Sequence, residues 1–491
     1  MSQRHKRGDP GLKRVRLNAC AGAMAALLLG ACAVGPEYSK PQIDLPVAWK
    51  VEAPWRVGAP NDGERKGPWW QRFGDARLNA LEEQALAGSP TMALATARLA
   101  QSNAVLAATD AGRYPQIGIS ARDTRTRISA NRPLTNNTSP NFTTTQSDYY
   151  GVLTASYEAD FFGRVQRNVE GARASAEQAA ADFENVRLLL TSDLATAYFN
   201  LRAVDIEIDV LMRAIKLQRD SLTYVKSRHE LGAASGLDVG QQQTLLDNTL
   251  TQVDVLRRQR AQFEHAIATL TGTPAPLFAL APDIKAVLPP AVPIGVPSDV
   301  LERRPDVAAA ERAMAAANAQ IGVASAAYFP SISLGSFYGT EASTLEKLFL
   351  TPAYIWSLGF TLAQPLFDGG RIRANIENAR AGYDAAVAIY RRVILTAMQE
   401  AEDGIIGAAA LERAHTQALA TVASATRVLE LVRARYEGGL GSSLDVITAQ
   451  QTQLNSERQA AQLLGQRLLV SVFLVKALGG DWQGAKKIVR E

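Results

Sequence analysis

The chain states one pattern twice, 207 residues apart, and this duplication limits the folds open to it. Glu170-Gly171-Ala172-Arg173-Ala174 returns as Glu377-Asn378-Ala379-Arg380-Ala381, Gly232 as Gly439, and Leu237-Asp238-Val239 as Leu444-Asp445-Val446. Upstream, Tyr114-Pro115 has its counterpart at Phe329-Pro330, eight residues off that register, which predicts an intervening segment of altered length. An offset held over more than 60 residues makes each half one structural unit. Two like units in one chain favour pseudo-symmetric assembly over a single catalytic pocket.

The order of elements within each half follows from periodicity. Ala-rich helical segments open the halves at 75–112 and 299–327. Two alternating segments come next. Ile117, Ile119 and Ala121, then Leu153, Ala155, Tyr157 and Ala159, alternate with small or polar residues. In the second half Ile332 and Leu334, then Trp356, Leu358, Phe360 and Leu362, do the same. Period two with one apolar face predicts strands. A length near ten, aromatic ends at Tyr149, Phe161 and Phe367, and an Asn/Thr/Ser-rich connector from Thr124 to Ser147 suit strands in a membrane barrel. A soluble half-buried hairpin would show the same alternation.

Long helices follow. Val186, Leu190, Leu194, Ala197, Leu201, Val204, Ile208, Leu211 and Ile215 alternate in steps of four and three, a coiled-coil period. Ile394, Ala397, Ala401, Ile405 and onward to Leu429, Val432 and Tyr436 repeat it with smaller residues. No Pro interrupts 164–231 or 371–437, so each helix reaches roughly 100 Å at about 1.5 Å per residue. A globular domain does not need that length; a conduit or spacer does. Gly-marked reversals at Leu231–Gly236 and Gly438–Ser443 lead into return helices at 237–271 and 444–478.

The N-terminus carries Arg4, Lys6, Arg7, Lys13, Arg14 and Arg16 ahead of an apolar stretch from Ala19 to Ala31, the layout of a signal peptide. Leu29-Gly30-Ala31-Cys32 looks like a bacterial lipobox, which predicts cleavage before Cys32 and acylation of that residue. Both cysteines, Cys20 and Cys32, then fall outside the body of the mature chain, leaving no disulfide. Removing 1–31 leaves 46 basic against 47 acidic residues, so the nominal pI of 8.9 belongs to the leader and no nucleic-acid partner is indicated. The divisions expected are a signal peptide (1–31), a lipidated, Pro- and Trp-rich extended arm laid over a surface (32–74), a first repeat (75–272), a Pro-rich linker (273–298), a second repeat (299–480) and a tail (481–491).

No later stretch of 18 uninterrupted apolar residues predicts a membrane-spanning helix, so a membrane crossing would fall to the strands. Four strands cannot close a barrel, and an open edge cannot face lipid. Several chains must then pool strands: two would give eight and a filled interior, three would give twelve and an aqueous lumen. The small and polar alternate faces fit the wider barrel, but strand arithmetic alone leaves the copy number open.

Cys32, the following Ala33-Val34-Gly35-Pro36-Glu37-Tyr38 with Pro41, the half-repeats and the turn Tyr436-Glu437-Gly438-Gly439-Leu440-Gly441-Ser442-Ser443-Leu444-Asp445-Val446 with Ala449-Gln450 resemble the TolC-type outer-membrane factors, specifically the NodT/OprM-like efflux lipoproteins. The resemblance spans essentially the whole mature chain. It implies an α+β membrane protein: a trimeric 12-stranded transmembrane β-barrel, four strands per chain, continued by a long α-helical coiled-coil barrel. It implies a homotrimer in outer-membrane lipid, docked to a periplasmic adaptor (a membrane fusion protein) and an inner-membrane pump, passively conducting drugs or other small molecules outward. Asp445 matches an acidic ring of the periplasmic gate; Thr448 stands where some relatives carry a second Asp, which implies one ring rather than two. Tyr436 matches a position tied into the closed-state network, and Leu231, Gly232, Gly439 and Leu440 match turns that meet the adaptor. The residues admit plainer roles: Asp445 and Asp238 as helix N-terminal charges, Tyr436 as packing, the glycines as reversal points.

The remaining histidines, His229, His265 and His415, are widely spaced, with no Cys or HExxH partner, and no nucleophile or phosphate-loop motif accompanies them. Neither an enzyme nor a bound metal or cofactor is expected beyond the lipid on Cys32. The alternative function is a lipid-anchored periplasmic coiled-coil adaptor or spacer without a barrel, which would not need four alternating strands.

Overall fold

The computed structural model describes residues 34–40, 67–131, 143–290 and 304–480; Cys32, the expected signal peptide (1–31) and the expected tail (481–491) lie outside the described residues. The chain forms two compact units. One comprises Met1–Pro41, Gln101–Glu177 and Arg312–Ala388; the other comprises Gln42–Ala100, Gln178–Glu311 and Ile389–Glu491.

The elements in order are α1 (Ala76–Gly88), α2 (Pro90–Asp110), β1 (Gln116–Ile128), β2 (Thr144–Ala159), α3 (Arg164–Glu230), α4 (Gly236–Leu270), α5 (Pro305–Ala326), β3 (Ser331–Ala342), β4 (Tyr354–Ala363), α6 (Arg371–Glu437) and α7 (Ser443–Ala477). The duplication is visible to the residue. Both long helices have 67 residues and both return helices have 35, each pair displaced by 207. The eight-residue slip falls between them: the second hairpin is shorter and the turn from β4 to α6 is longer than that from β2 to α3.

In the first unit the strands form one antiparallel meander, β1-β2-β3-β4. Its register brings the four apolar sets to a common face. Ile119 pairs with Leu153, Leu153 with Tyr338, and Tyr338 with Trp356. The opposite face carries Ser120, Thr154, Ser156, Ser333, Gly335, Ser357 and Gly359. On the apolar face Ile117, Ile119, Trp356, Leu358 and Phe360 are exposed, so nothing among the described residues covers it. The strands outrun the expected length, up to 16 residues in β2, because 124–128 and 144–147 pair as ladder rather than forming loop.

The leading segment is held in the same unit. Val34 donates its N–H to the Phe162 carbonyl, Arg167 reaches the carbonyls of Val34 and Gly35, and Asn318 reaches that of Pro36. Gly35, at φ 107°, lies so close to Gly322 that a β-carbon on Gly35 would stand 2.6 Å from the Gly322 Cα.

In the second unit the predicted seam is the core. Leu190, Leu194, Leu201, Leu211 and Ile215 of α3 are buried with Leu246, Val253 and Leu256 of α4 and Leu454, Leu468 and Val472 of α7. One expectation is corrected here. Trp69–Phe73 is a short 3-10 helix with Trp69, Trp70 and Phe73 buried, not part of an arm laid over a surface. The Trp69 indole donates to Thr191 of α3, and Phe73 packs on Phe199 at 4.8 Å, so the aromatic density of this stretch is spent on the core. The start of the linker is also pinned: Arg260, bonded to Asp205, donates to the Leu280 carbonyl, while the Leu280 N–H donates to Glu264. Helix α7 holds a window of mean hydropathy 1.3, apolar enough for a membrane span by composition, and 56% of it is buried inside the chain. Its apolarity is that of a core helix.

Candidate functional site

The two helix reversals, both in the second unit, are built alike. After α3, Gly232 takes φ 73°, its N–H bonds to His229 O, and Ala233 N–H reaches back to Arg228 O. After α6, Gly439 takes φ 76°, its N–H bonds to Tyr436 O, and Leu440 N–H reaches Arg435 O. Each is a Schellman cap, whose left-handed residue favours glycine because any β-carbon there meets the following carbonyl. Arg228 and Arg435 add a second cap: each guanidinium donates across the turn, to Ala233 O and Leu440 O. His229 Nδ1 lies 2.8 Å from Ala234 O, a capping contact that uses the imidazole structurally.

The return helices start on matched capping boxes. Ser235 and Asp238 exchange bonds at the start of α4, as Ser442 and Asp445 do at the start of α7. The Asp445 carboxylate accepts from the Ser442 N–H at 3.0 Å. Backbone and hydroxyl hydrogen bonds from Ser442, aided by nearby Arg435, hold Asp445 below the ordinary carboxylate range. The side chain is nevertheless exposed, as is Thr448 one turn on, whose hydroxyl donates to Leu444 O. Asp445 and Thr448 share a groove between the ends of α6 and α7 with Ser424, Val428, Arg435 and Thr452.

Tyr436 is buried by packing. Its ring meets Tyr224 edge-on at 6.0 Å, and Arg228 lies over Tyr436 at 5.1 Å and Tyr224 at 5.9 Å. A cation over two ring faces ties the end of α3 to the end of α6. Leu231 and Leu440 stand at the turn tips at 84% and 76% exposure. They do not occupy equivalent positions: Leu231 precedes the left-handed glycine of its turn, and Leu440 follows the other.

Sequence reasoning missed two features. The first is a polar ladder on α7: Asp445, Thr448, Thr452, Asn455, Gln459, Gln462 and Gln466 are all exposed, in steps of three and four. The signal was available in the polar residues between the buried Val446, Leu454, Leu464 and Leu468. After Asp445 the ladder carries no charge. The second is a buried amide cluster, in which Gln242 donates to Gln450, and Gln450 donates to Ser221 at 2.7 Å. In the sequence Gln450 stands only as part of the turn motif; in the fold its side chain holds α7 against α3 and α4.

His415 is buried, accepts from Arg467 at 3.1 Å, and is shifted down by burial and by that neighbouring cation. Among the described residues no three His, Cys, Asp or Glu side chains converge as a metal set.

Among the described residues the sheet's apolar face is uncovered and its two outer edges are open, which is what a subunit of an outer-membrane channel requires. Residues 81–273 and 296–480 match the outer membrane efflux protein family, and the chain belongs to it. It is 31% identical to the outer membrane protein OprJ of Pseudomonas aeruginosa over 472 residues, 95% of this chain and 96% of that one. It is 31% identical to the toluene efflux pump outer membrane protein TtgC of Pseudomonas putida over 469 residues, 94% and 95% of the two chains. Among solved structures it superposes on the outer-membrane channel OprN with a TM-score of 0.82 and 28% identity, over 92% of this chain and all of that one. The open-state MtrE channel of Neisseria gonorrhoeae gives 0.80 and 26%, over 92% and 100%. The fold is that of the trimeric outer-membrane efflux channels, and the protein is an outer-membrane efflux component rather than a member of an enzyme family.

Proposed function

We propose that three copies of this chain form the exit duct of a tripartite efflux system, fed by a periplasmic adaptor and an inner-membrane pump, with the narrowest point at the helix tips. The observation that supports it most is the sheet. Among the described residues its four strands leave β1 and β4 unpaired on their outer sides, and its lipid-compatible face is bare. Closure with the sheets of two further copies satisfies both edges and turns the small and polar face toward water.

In this reading the α7 ladder lines the passage with neutral hydrogen-bonding groups. Asp445 adds one carboxylate per chain near its periplasmic end, Thr448 the next polar step, and Tyr436 the packing that fixes the tip. Leu231 with Gly232, and Gly439 with Leu440, offer the adaptor exposed apolar knobs on rigid turns. An acyl group on Cys32, two residues before the docked Val34, anchors the chain to the membrane. Relatives are named for the export of pyoverdine and of toluene, so the cargo is read as small molecules chosen upstream.

The experiment is single-channel conductance of the purified protein in a planar bilayer, comparing native, Asp445→Ala and Asp238→Ala. Both variants lose a capping box, but only Asp445 stands in the proposed aperture. Larger, less cation-preferring openings in Asp445→Ala alone support the gate. The same change in both variants reduces it to a cap effect, and a folded protein that never conducts removes the duct.

A further inference from the structure

The strand register carries a second message at the end of the sheet away from α3 and α6. The apolar face of β1 continues past Ile117, Ile119 and Ala121 into Asp123, Arg125 and Arg127. On that face the residues directly opposite are Tyr149 beside Asp123, Ser147 beside Arg125 and Thr145 beside Arg127. Aromatic side chains mark the level: Tyr354, stacked on Tyr338 at 6.1 Å, lies in the row of Ala121, and Tyr149 in the row of Asp123. Such rings sit at the boundary of the hydrocarbon in membrane barrels. Arg125 and Arg127 stand one and two steps beyond it. A rise of about 3.3 Å per residue at a tilt of about 40° puts Arg125 and Arg127 about 5 and 10 Å above the Tyr149 row, the depth of a headgroup layer.

Their pairing sets these arginines apart. Arg122, on the opposite face, donates to Asp148 at 2.7 Å and covers the Tyr150 ring at 5.0 Å. Arg125 and Arg127 are exposed and have no carboxylate partner among the described residues. The sequence offers none nearby either, because 124–147 contains no Asp or Glu. Asp123 is the nearest carboxylate on this face, about 7 Å along the strand from Arg125. Two free guanidinium forks flanked by hydroxyls, held by a ladder at headgroup height, match the oxygens of a phosphate.

We propose that Arg125 and Arg127, with the Ser147 and Thr145 hydroxyls, form a binding site for the phosphorylated headgroup of an outer-leaflet lipid. This rests on the barrel reading above, which turns that face outward.

The test is native mass spectrometry of the detergent-solubilised protein, titrated with phosphatidic acid and with phosphatidylcholine. The native protein should prefer phosphatidic acid by about tenfold or more, the scale of two charge-assisted contacts. Arg125→Gln/Arg127→Gln should abolish the preference, Arg125→Lys/Arg127→Lys should keep part of it, and Arg122→Gln should leave it intact. Should the glutamine pair fail to assemble, the lysine pair and Ser147→Ala/Thr145→Val read the same site through a graded loss. A folded glutamine pair that keeps the preference overturns the site, as does its loss in Arg122→Gln. Full displacement by excess inorganic phosphate overturns the lipid assignment. A native protein that shows no heat-modifiable oligomer on a denaturing gel overturns the barrel reading and this site together, whereas a stable oligomer indifferent to the lipid overturns the site alone.

Discussion

Asp445 stands both as a helix cap and as the one charge on an exposed polar face. Its depressed pKa fixes the sign of its pH response: the carboxylate gains its proton only below the ordinary aspartate value of 3.8. Cation preference owed to Asp445 should therefore survive acidification through that value and fade only below it, which reversal potentials across a pH series would check. Glu82 is the opposite case. Both its oxygens are buried with no hydrogen-bond partner among the described residues, and burial raises the carboxyl to about 9. A proton held more tightly when folded stabilises the protein below the unfolded value near 4.5, and that contribution is lost as the pH climbs toward 9. Glu82→Gln removes that slope, so its melting temperature should exceed the native value at pH 8.5 and match it near pH 5, as measured by thermal unfolding in detergent. Nothing in the sequence distinguishes Glu82 from the solvated carboxylates on other helices. Its burial comes from Leu78, Leu81 and Ala85 on the same helix packing beside Trp69 and Trp70.

At the scale of elements, the long helices were legible because an unbroken seam in steps of three and four leaves one way to bury it. Their ends were legible because glycine and serine mark each reversal. Strand faces were legible for the same reason of period, but strand ends were not: Thr and Ser at 143–147 read as loop, and only a partner strand shows that they pair. The Trp-rich stretch misled because proline and tryptophan suit an extended arm and a buried aromatic cluster alike. One element is held by a close approach that composition hides. A β-carbon on Gly339 of β3 would collide with the Gly151 carbonyl of β2. Gly339→Ala should break the β2–β3 ladder and lower the yield of heat-modifiable oligomer several-fold, while Gly335→Ala, with open space at its Cα, should leave it unchanged.

For the whole molecule, the sheet is complete on neither edge nor face among the described residues, so the proposed trimer ties closure of the strands to membrane insertion. The two faces should therefore respond oppositely to the same charge. Trp356→Arg, on the apolar face, should cost about 2–4 kcal/mol of folded barrel, whereas Ser357→Arg, on the other, should fold and alter conductance instead. Denaturant titration in lipid vesicles and channel recording separate the two outcomes.

The identical lengths of the paired helices have a consequence for how such a chain can vary. Helices of 67 and 35 residues recur with no residue gained or lost. A seven-residue deletion confined to α3 would retract one tip by about 10 Å and pull Arg228 away from Tyr436. Reach is thus inherited as a shared quantity: a descendant with a longer or shorter span must edit both repeats, in whole heptads, at once.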